Sequence, residues 1–183
     1  MGDAEVKGKT SQIRLGTKKL MQDHDIDMGD WQTQQQQLEK QGKTAMLIAV
    51  DQQVIGLLAV ADTIRDSAKS AVTALKKRGL QIIMLTGDNQ LTADAIALEL
   101  GIDKVIAEVL PEHKADKIRE LRQQGQVVAM VGDGINDAPA MAEADVGIAM
   151  GSGTDVAIET ADIALMRADL NTVDTAIQLS HLT

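Results

Sequence analysis

The chain has no cysteine, which excludes a disulfide framework and a thiolate metal site and is compatible with a reducing compartment. Its three histidines, His24, His113 and His181, leave little for a zinc site, and each reads as a surface residue. Long apolar runs are missing as well. The longest, Ala45 to Val50 and Val54 to Ala61, fall far short of the about 20 residues a membrane helix needs, so no segment is expected to cross a membrane. Met1-Gly2-Asp3 has neither a basic stretch nor an apolar one behind it and is not read as a signal peptide. Positive charge is in deficit: 27 acids against 18 bases give a formal net charge of -9, which argues against nucleic acid as a partner.

What is present is the composition of a folded globular protein, 44% hydrophobic and 25% charged over 183 residues, enough for one complete domain with part of a second. Residues 1–43 are polar and contain the glutamine run Gln34 to Gln37 in a segment that reads as an exposed helix, with Trp31 as a packing anchor. From residue 44 to 183 short apolar runs alternate with helical stretches, the pattern of a parallel sheet covered on both faces. Thr44 to Val50 and Val54 to Val60 read as a strand pair. Ala68, Ala71, Val72 and Leu75 form a helical stripe ending at Gly79, and Ala93, Ile96, Ala97 and Leu100 form another stopped by Gly101. Leu80 to Leu85, Lys104 to Ala107, Val127 to Val131, Val146 to Met150 and Ile163 to Met166 complete the strands, the fourth helix face being Ala115, Ile118 and Leu121 between Pro111 and Gly125. Leu170 to Leu182 reads as a terminal helix, and no internal repeat is visible.

Three loops carry chemistry. Gly132-Asp133-Gly134-Ile135-Asn136-Asp137-Ala138-Pro139 follows a strand and enters a helix, at the carboxyl edge of the sheet where ligands of open α/β folds bind. Asp133 and Asp137 there either supply hard oxygens for Mg2+ held with a phosphate, or serve only as turn and cap residues. Thr86-Gly87-Asp88-Asn89 has the same placement, offering a hydroxyl and helix-terminal amides to an anion, or ordinary capping. In Pro111-Glu112-His113-Lys114 the lysine sits in a first helical turn, where the macrodipole disfavours a cation. A bound anion would explain it, and so would a solvated surface position.

These motifs, with Asp62-Thr63-Ile64-Arg65 before them and Gly153-Thr154-Asp155-Val156-Ala157 after them, occur in the order and spacing of P-type ATPases, members of the haloacid dehalogenase superfamily. The resemblance covers residue 11 onward. Wording such as Ala142-Glu143-Ala144-Asp145-Val146-Gly147-Ile148-Ala149-Met150-Gly151 is most similar to the heavy-metal subfamily, especially its copper and silver exporters.

The resemblance implies an α/β fold: a doubly wound, mostly parallel Rossmann-like sheet lacking its first strand over residues 44–183, with residues 1–43 a remnant of an α+β nucleotide-binding domain. It implies Asp133 and Asp137 as Mg2+ ligands, Asn136 ordering the site, and Thr86, Gly87, Asp88 and Lys114 around the phosphoryl group. It implies Gly16, Asp62 and Arg65 as ATP contacts. Two positions depart from the pattern, Thr17 for the usual Asn and Thr63 for the usual Pro. No Asp-Lys-Thr-Gly-Thr occurs in the chain, so the phosphorylated aspartate is expected on another segment, leaving Leu80–Leu85 and Val127–Val131 to flank an empty slot or close together. The implied partners are ATP, Mg2+ and the rest of a pump, with its transmembrane and actuator parts, at the cytoplasmic face of a membrane. A soluble phosphatase of the same superfamily and a non-enzymatic half that docks onto a separate fragment are the rival expectations.

Overall fold

The computed structural model describes residues 2–6, 9–61, 63–133, 135–151 and 155–180. By contact the chain groups into two units, Met1–Thr63 with Asp88–Ile96, and Ile64–Gly87 with Ala97–Thr183.

The first unit runs β1 (Gly2–Val6), β2 (Lys9–Gly16), α1 (Lys18–Asp23), α2 (Trp31–Glu39), β3 (Thr44–Val50) and β4 (Gln53–Val60), and includes the start of α4 (Gln90–Leu100). Its strands form one antiparallel sheet in the order β1-β2-β3-β4. Along β3 the period of two puts Ala45, Leu47 and Ala49 on the buried face, where Leu47 and Ala49 meet Met21, Ile26 and Met28. Trp31 packs against that cluster, the anchoring role expected of it. The glutamine helix is exposed at Gln34, Gln36 and Gln37, as read, and it has one buried stripe. Gln35 and Glu39 lie one turn apart on a buried stripe, and the Gln35 amide donates to the Ala45 carbonyl at 3.1 Å.

The first unit also reaches further than the expected boundary at residue 43. Ile13 pairs with Val50 and Gly16 with Leu47, so β3 and β4 extend a sheet that β2 began. The rise in hydropathy after Lys43 marks entry into an interior strand, flanked by β2 and β4, rather than a change of unit.

The second unit contains α3 (Asp66–Lys77), β5 (Ile83–Leu85), β6 (Lys104–Ile106), α5 (Lys114–Gln123), β7 (Ala129–Gly132), α6 (Ala138–Glu143), β8 (Val146–Met150), α7 (Asp155–Thr160), β9 (Ile163–Leu165) and α8 (Asn171–Ser180). All its strand pairs are parallel, and they form two sheets, β5-β6 and β7-β8-β9. This is the mixed α/β architecture expected, with the parallel part divided. Among the described residues β5 pairs only with β6 and β7 only with β8. Four of its five strands are shorter than the apolar runs that announced them, and β8 matches its run. Val127, read as the start of a buried strand, is 89% exposed, because the pairing begins only at Ala129. The glycine stops hold: Gly79 has φ +82, and Leu80 N–H bonds back to the Leu75 carbonyl at 3.3 Å, closing the helix end. Among the described residues no helix is long and apolar enough to cross a membrane.

A local device recurs three times in this unit. Asp103, Asp145 and Asp162 each stand just before a strand, and each exchanges two hydrogen bonds with one residue of the neighbouring strand's start. The carboxylates accept from Ile82, Val128 and Gly147 N–H at 2.9, 2.9 and 2.8 Å. The aspartates' own N–H groups donate to the same residues' carbonyls at 3.1, 2.9 and 2.9 Å. Each ring pins the register of one parallel pair where the ladder begins.

The bond from Ile82 N–H, and then the Lys76 ammonium, hold the Asp103 carboxyl below the usual carboxylate range, and the bond from Val128 N–H does the same for Asp145 ahead of Arg122. Depressed folded-state values mean stability that is present above the ordinary carboxylate pKa of about 3.9 and lost as pH falls through the folded values. Urea midpoints measured from pH 7 to pH 2 are therefore expected to fall on the acid side, and Asp103→Asn and Asp145→Asn to flatten that fall. An acid limb unchanged in both variants would assign it to other groups.

Candidate functional site

The site lies in the second unit, at the carboxyl ends of β5 and β7. β7 ends at Gly132, Asp133 follows it exposed, and a single 3₁₀ turn, Ile135–Asp137, leads into α6. Asp137 occupies the N-cap position of α6 yet makes no side-chain capping bond. Its carboxylate turns instead to Lys114, whose Nζ lies 2.7 Å from Oδ1, with the two side chains only 17% and 15% exposed. The side chain therefore does not cap α6, and the pair supplies a reason for the cation in the first turn of α5. The negative charge that offsets the helix dipole beside Lys114 comes from the chain itself.

Gly132 makes that pair possible. A Cβ at position 132 would lie 2.6 Å from Asp137 Cβ and 2.9 Å from Asp137 Oδ2, so only glycine lets the carboxylate fold back over the end of β7. The loop that delivers Lys114 is held from the other side. Thr86 N–H bonds the Ile106 carbonyl at 3.0 Å, and Val109 N–H bonds the Thr86 carbonyl at 3.1 Å. Between these bonds Glu108 takes a left-handed conformation, φ +58, a strain of the order of 1 kcal/mol that the two flanking bonds maintain. Pro111–His113 then forms a 3₁₀ turn that packs against Ile135–Asp137. Backbone bonds thus tie Thr86 to the segment that leads into Lys114, and Lys114 meets Asp137 beside Gly132. Asn136 is exposed on the 3₁₀ turn.

Arg65 precedes α3 and donates to the Ala168 carbonyl at 2.8 Å. Asp88 belongs to the first unit, where Asn89 caps α4 by accepting from Thr92 N–H at 3.0 Å, so the capping reading holds for that asparagine. Gly16, also in the first unit, ends β2 where a Cβ would meet Leu20 Cδ2 at 2.4 Å, which gives its glycine identity a packing cause in the approach of α1. Thr17 follows in extended conformation before α1. Asp62, Gly134, Gly153, Thr154 and His181 lie outside the described residues.

The site has the donors for an anion and hard oxygens for a cation. No group of three or more His, Asp or Glu side chains suited to hold a metal occurs among the described residues. The hard oxygens that the loop between β7 and α6 offers are the two carboxylates of Asp133 and Asp137. A shallow groove of about 380 Å³ lined by Val72, Lys76, Lys77, Leu100 and Gly101 lies elsewhere, beside the Lys76–Asp103 pair that marks the opposite, amino end of β6.

Residues 3–145 match the family model of haloacid dehalogenase-like hydrolases, and the chain belongs to that family. It is 54% identical over 180 residues to the copper-exporting P-type ATPase of Bacillus subtilis strain 168, matching 98% of this chain and 22% of that protein. To the protein of the same description in Staphylococcus haemolyticus strain JCSC1435 it is 53% identical, over 94% of this chain and 22% of the other. A crystal structure of a zinc-transporting PIB-type ATPase in its E2.Pi state superposes with a TM-score of 0.69 at 41% identity, covering 97% of this chain and 28% of that one. The chain therefore spans about a fifth of the length of the curated relatives it matches.

Proposed function

We propose that this chain is part of the catalytic region of an ATP-driven heavy-metal pump, supplying the Mg2+ and phosphoryl-binding side of an aspartyl-phosphate cycle. The observation that carries the reading is the Lys114–Asp137 pair: a carboxylate at a helix N-cap that leaves the cap unmade and instead meets a lysine from another loop. A cap has no need of that partner, whereas a phosphoryl site needs a fixed cation beside an oxygen ligand.

In this reading Asp133 and Asp137 hold Mg2+, which offsets charge on the transferred group, and Asn136 orients them. Thr86 and the Gly87 backbone receive the phosphoryl oxygens, and Lys114 balances their charge from the opposite side. Asp88 steadies the first of these loops. Gly16, Asp62 and Arg65 contact ATP, a role that rests on motif resemblance alone. The residues 1–63 sheet belongs to the nucleotide-binding domain and the parallel unit to the phosphorylation domain. The nucleophilic aspartate comes from a segment outside this chain, whose strand pairs with the open edges of β5 and β7. Copper and silver exporters are the subfamily whose wording the chain shares.

The test is incubation with γ-labelled ATP and Mg2+, with and without a fragment carrying the Asp-Lys-Thr-Gly-Thr strand. Acid-stable label is expected on the added fragment only, and only with Mg2+. Label or phosphate released by this chain alone would overturn the assignment in favour of a soluble phosphatase.

A further inference from the structure

Behind the Lys114–Asp137 pair, α5 and α6 are joined a second time. The two helices run side by side in the same direction, first residues meeting at the site and last turns meeting in a cluster of charges. Arg119 grips Glu143 with two arms, Nε to Oε1 at 3.3 Å and NH2 to Oε2 at 3.0 Å, while its NH1 bonds Asp116 at 2.8 Å. Arg122 donates from Nε to Asp145 Oδ1 at 3.0 Å and from NH1 to the Glu143 carbonyl at 2.7 Å. Asp145 in turn holds Val128 N–H, at the start of β7, at 2.9 Å. The cluster therefore ties together the far ends of α5, α6 and β7, the three elements whose near ends carry Lys114, Asp137 and Asp133.

Apolar packing holds these helices together, and the charged ends add directional bonds to it. Between the two charged ends lie Ile118, Ala138, Ala140 and Met141. Such contact is non-directional, and the alanines give α5 little relief to lock into. α6, six residues long, spans only about 9 Å. A slip of one residue along α5 moves Lys114 by about 1.5 Å and turns it by about 100°, which breaks a 2.7 Å bond. Fork-shaped guanidinium bonds are directional and resist such slip.

We propose that Arg119 and Arg122 are positioning residues that hold α5, α6 and β7 in the register in which Lys114 meets Asp137 beside Asp133. The arginines are 48% and 41% exposed, so each pair on its own adds little to stability. Their work is geometric. The register claim concerns this chain's own geometry, and its consequence for Mg2+ rests on the function proposed above.

The test is proton–nitrogen NMR of lysine ammonium groups in the full 183-residue chain, in which an immobilised ammonium gives a resolved signal and a mobile one does not. The Lys114 signal is assigned by its disappearance in Lys114→Arg. Expected is its loss in Arg119→Gln and in Arg122→Gln with the backbone amide spectrum otherwise folded, and its return when Arg119→Glu is combined with Glu143→Arg. The double variant Arg119→Gln with Arg122→Gln should lose it as well; should that variant unfold, the single variants decide the matter. A Lys114 signal that persists in folded single variants overturns the proposal, whatever happens to the melting temperature. A Mg2+ titration of the same samples separates the two ideas. The half-saturating concentration should rise about 10-fold in the variants, whereas a native chain whose Asp133 and Asp137 amides ignore Mg2+ refutes the functional reading and leaves the register result standing on the lysine signal.

Discussion

Gly132→Ala will all but abolish formation of the acid-stable phosphoprotein in the complemented assay, by about 100-fold, while the chain still folds. The added methyl would sit 2.6 Å from Asp137 Cβ and 2.9 Å from its Oδ2, so the carboxylate has to leave, and Lys114 loses the partner that fixes it. Relief comes from moving one side chain and a short 3₁₀ turn, so the stability cost should stay within the about 1–3 kcal/mol of ordinary overpacking. Gly87→Ala is the informative comparison. Its Cβ would stand 3.4 Å from the Val109 carbonyl oxygen, an ordinary contact, so the fold should accept it and any loss of label would report a ligand that approaches the backbone there. Label formation at the native level in Gly132→Ala would mean that the placement of Asp137 has no part in the chemistry.

Met141→Ala should be the most damaging single truncation in the parallel unit, about 2–5 kcal/mol. Met141 is 1% exposed and shares a cluster with Ile118, Met130 and Ala149, so it is the side chain through which α6 meets α5, β7 and β8. β8 comes so close at Gly147 that a Cβ there would lie 2.9 Å from the Met141 carbonyl oxygen, which leaves the backbone little room to collapse into the cavity. The urea midpoint by far-ultraviolet circular dichroism should drop by about 1–2 M, given a slope of about 1–3 kcal/mol per molar urea. Trp31 fluorescence is the wrong probe for this, since the chain's only tryptophan packs in the core of the other unit. A drop below a quarter of that size would show that the cavity is filled by its neighbours.

Much of this was readable before the structure. Apolar runs announced seven strands of the sheets and glycines announced helix ends, because burial and left-handed backbone leave local traces. The β1-β2 hairpin and α1 left none: β2 carries Lys9, Thr10, Ser11 and Gln12 before its apolar residues, and its partner β3 lies beyond two helices. Contact grouping places its line at residue 63 and not at 43 because hydropathy registers an interior strand whereas contacts follow strand pairing. Within the site, the loops were legible as motifs, but the Lys114–Asp137 contact spans 23 residues and no spacing rule predicts it. The arginine cluster behind it was equally silent. The aspartate rings could have been found. Asp103-Lys104, Asp145-Val146 and Asp162-Ile163 each place an aspartate immediately before a short strand, a repeat too brief to register as one.

Those rings also bear on how the parallel unit is assembled. Each one closes a loop of modest size, with its two residues 21, 17 and 15 positions apart, and each lies at the point where a strand, a helix and the next strand first come back together. Closing a loop costs entropy that grows only slowly with length, and a charge-assisted bond made early at that spot offsets part of the cost before the ladder has formed. Each crossover can then nucleate on its own, and the average sequence separation of the first contacts is low, which favours fast folding. At the Asp103 and Asp145 rings acid would remove the advantage at the start of the pathway, slowing refolding as well as hastening collapse of the finished sheet.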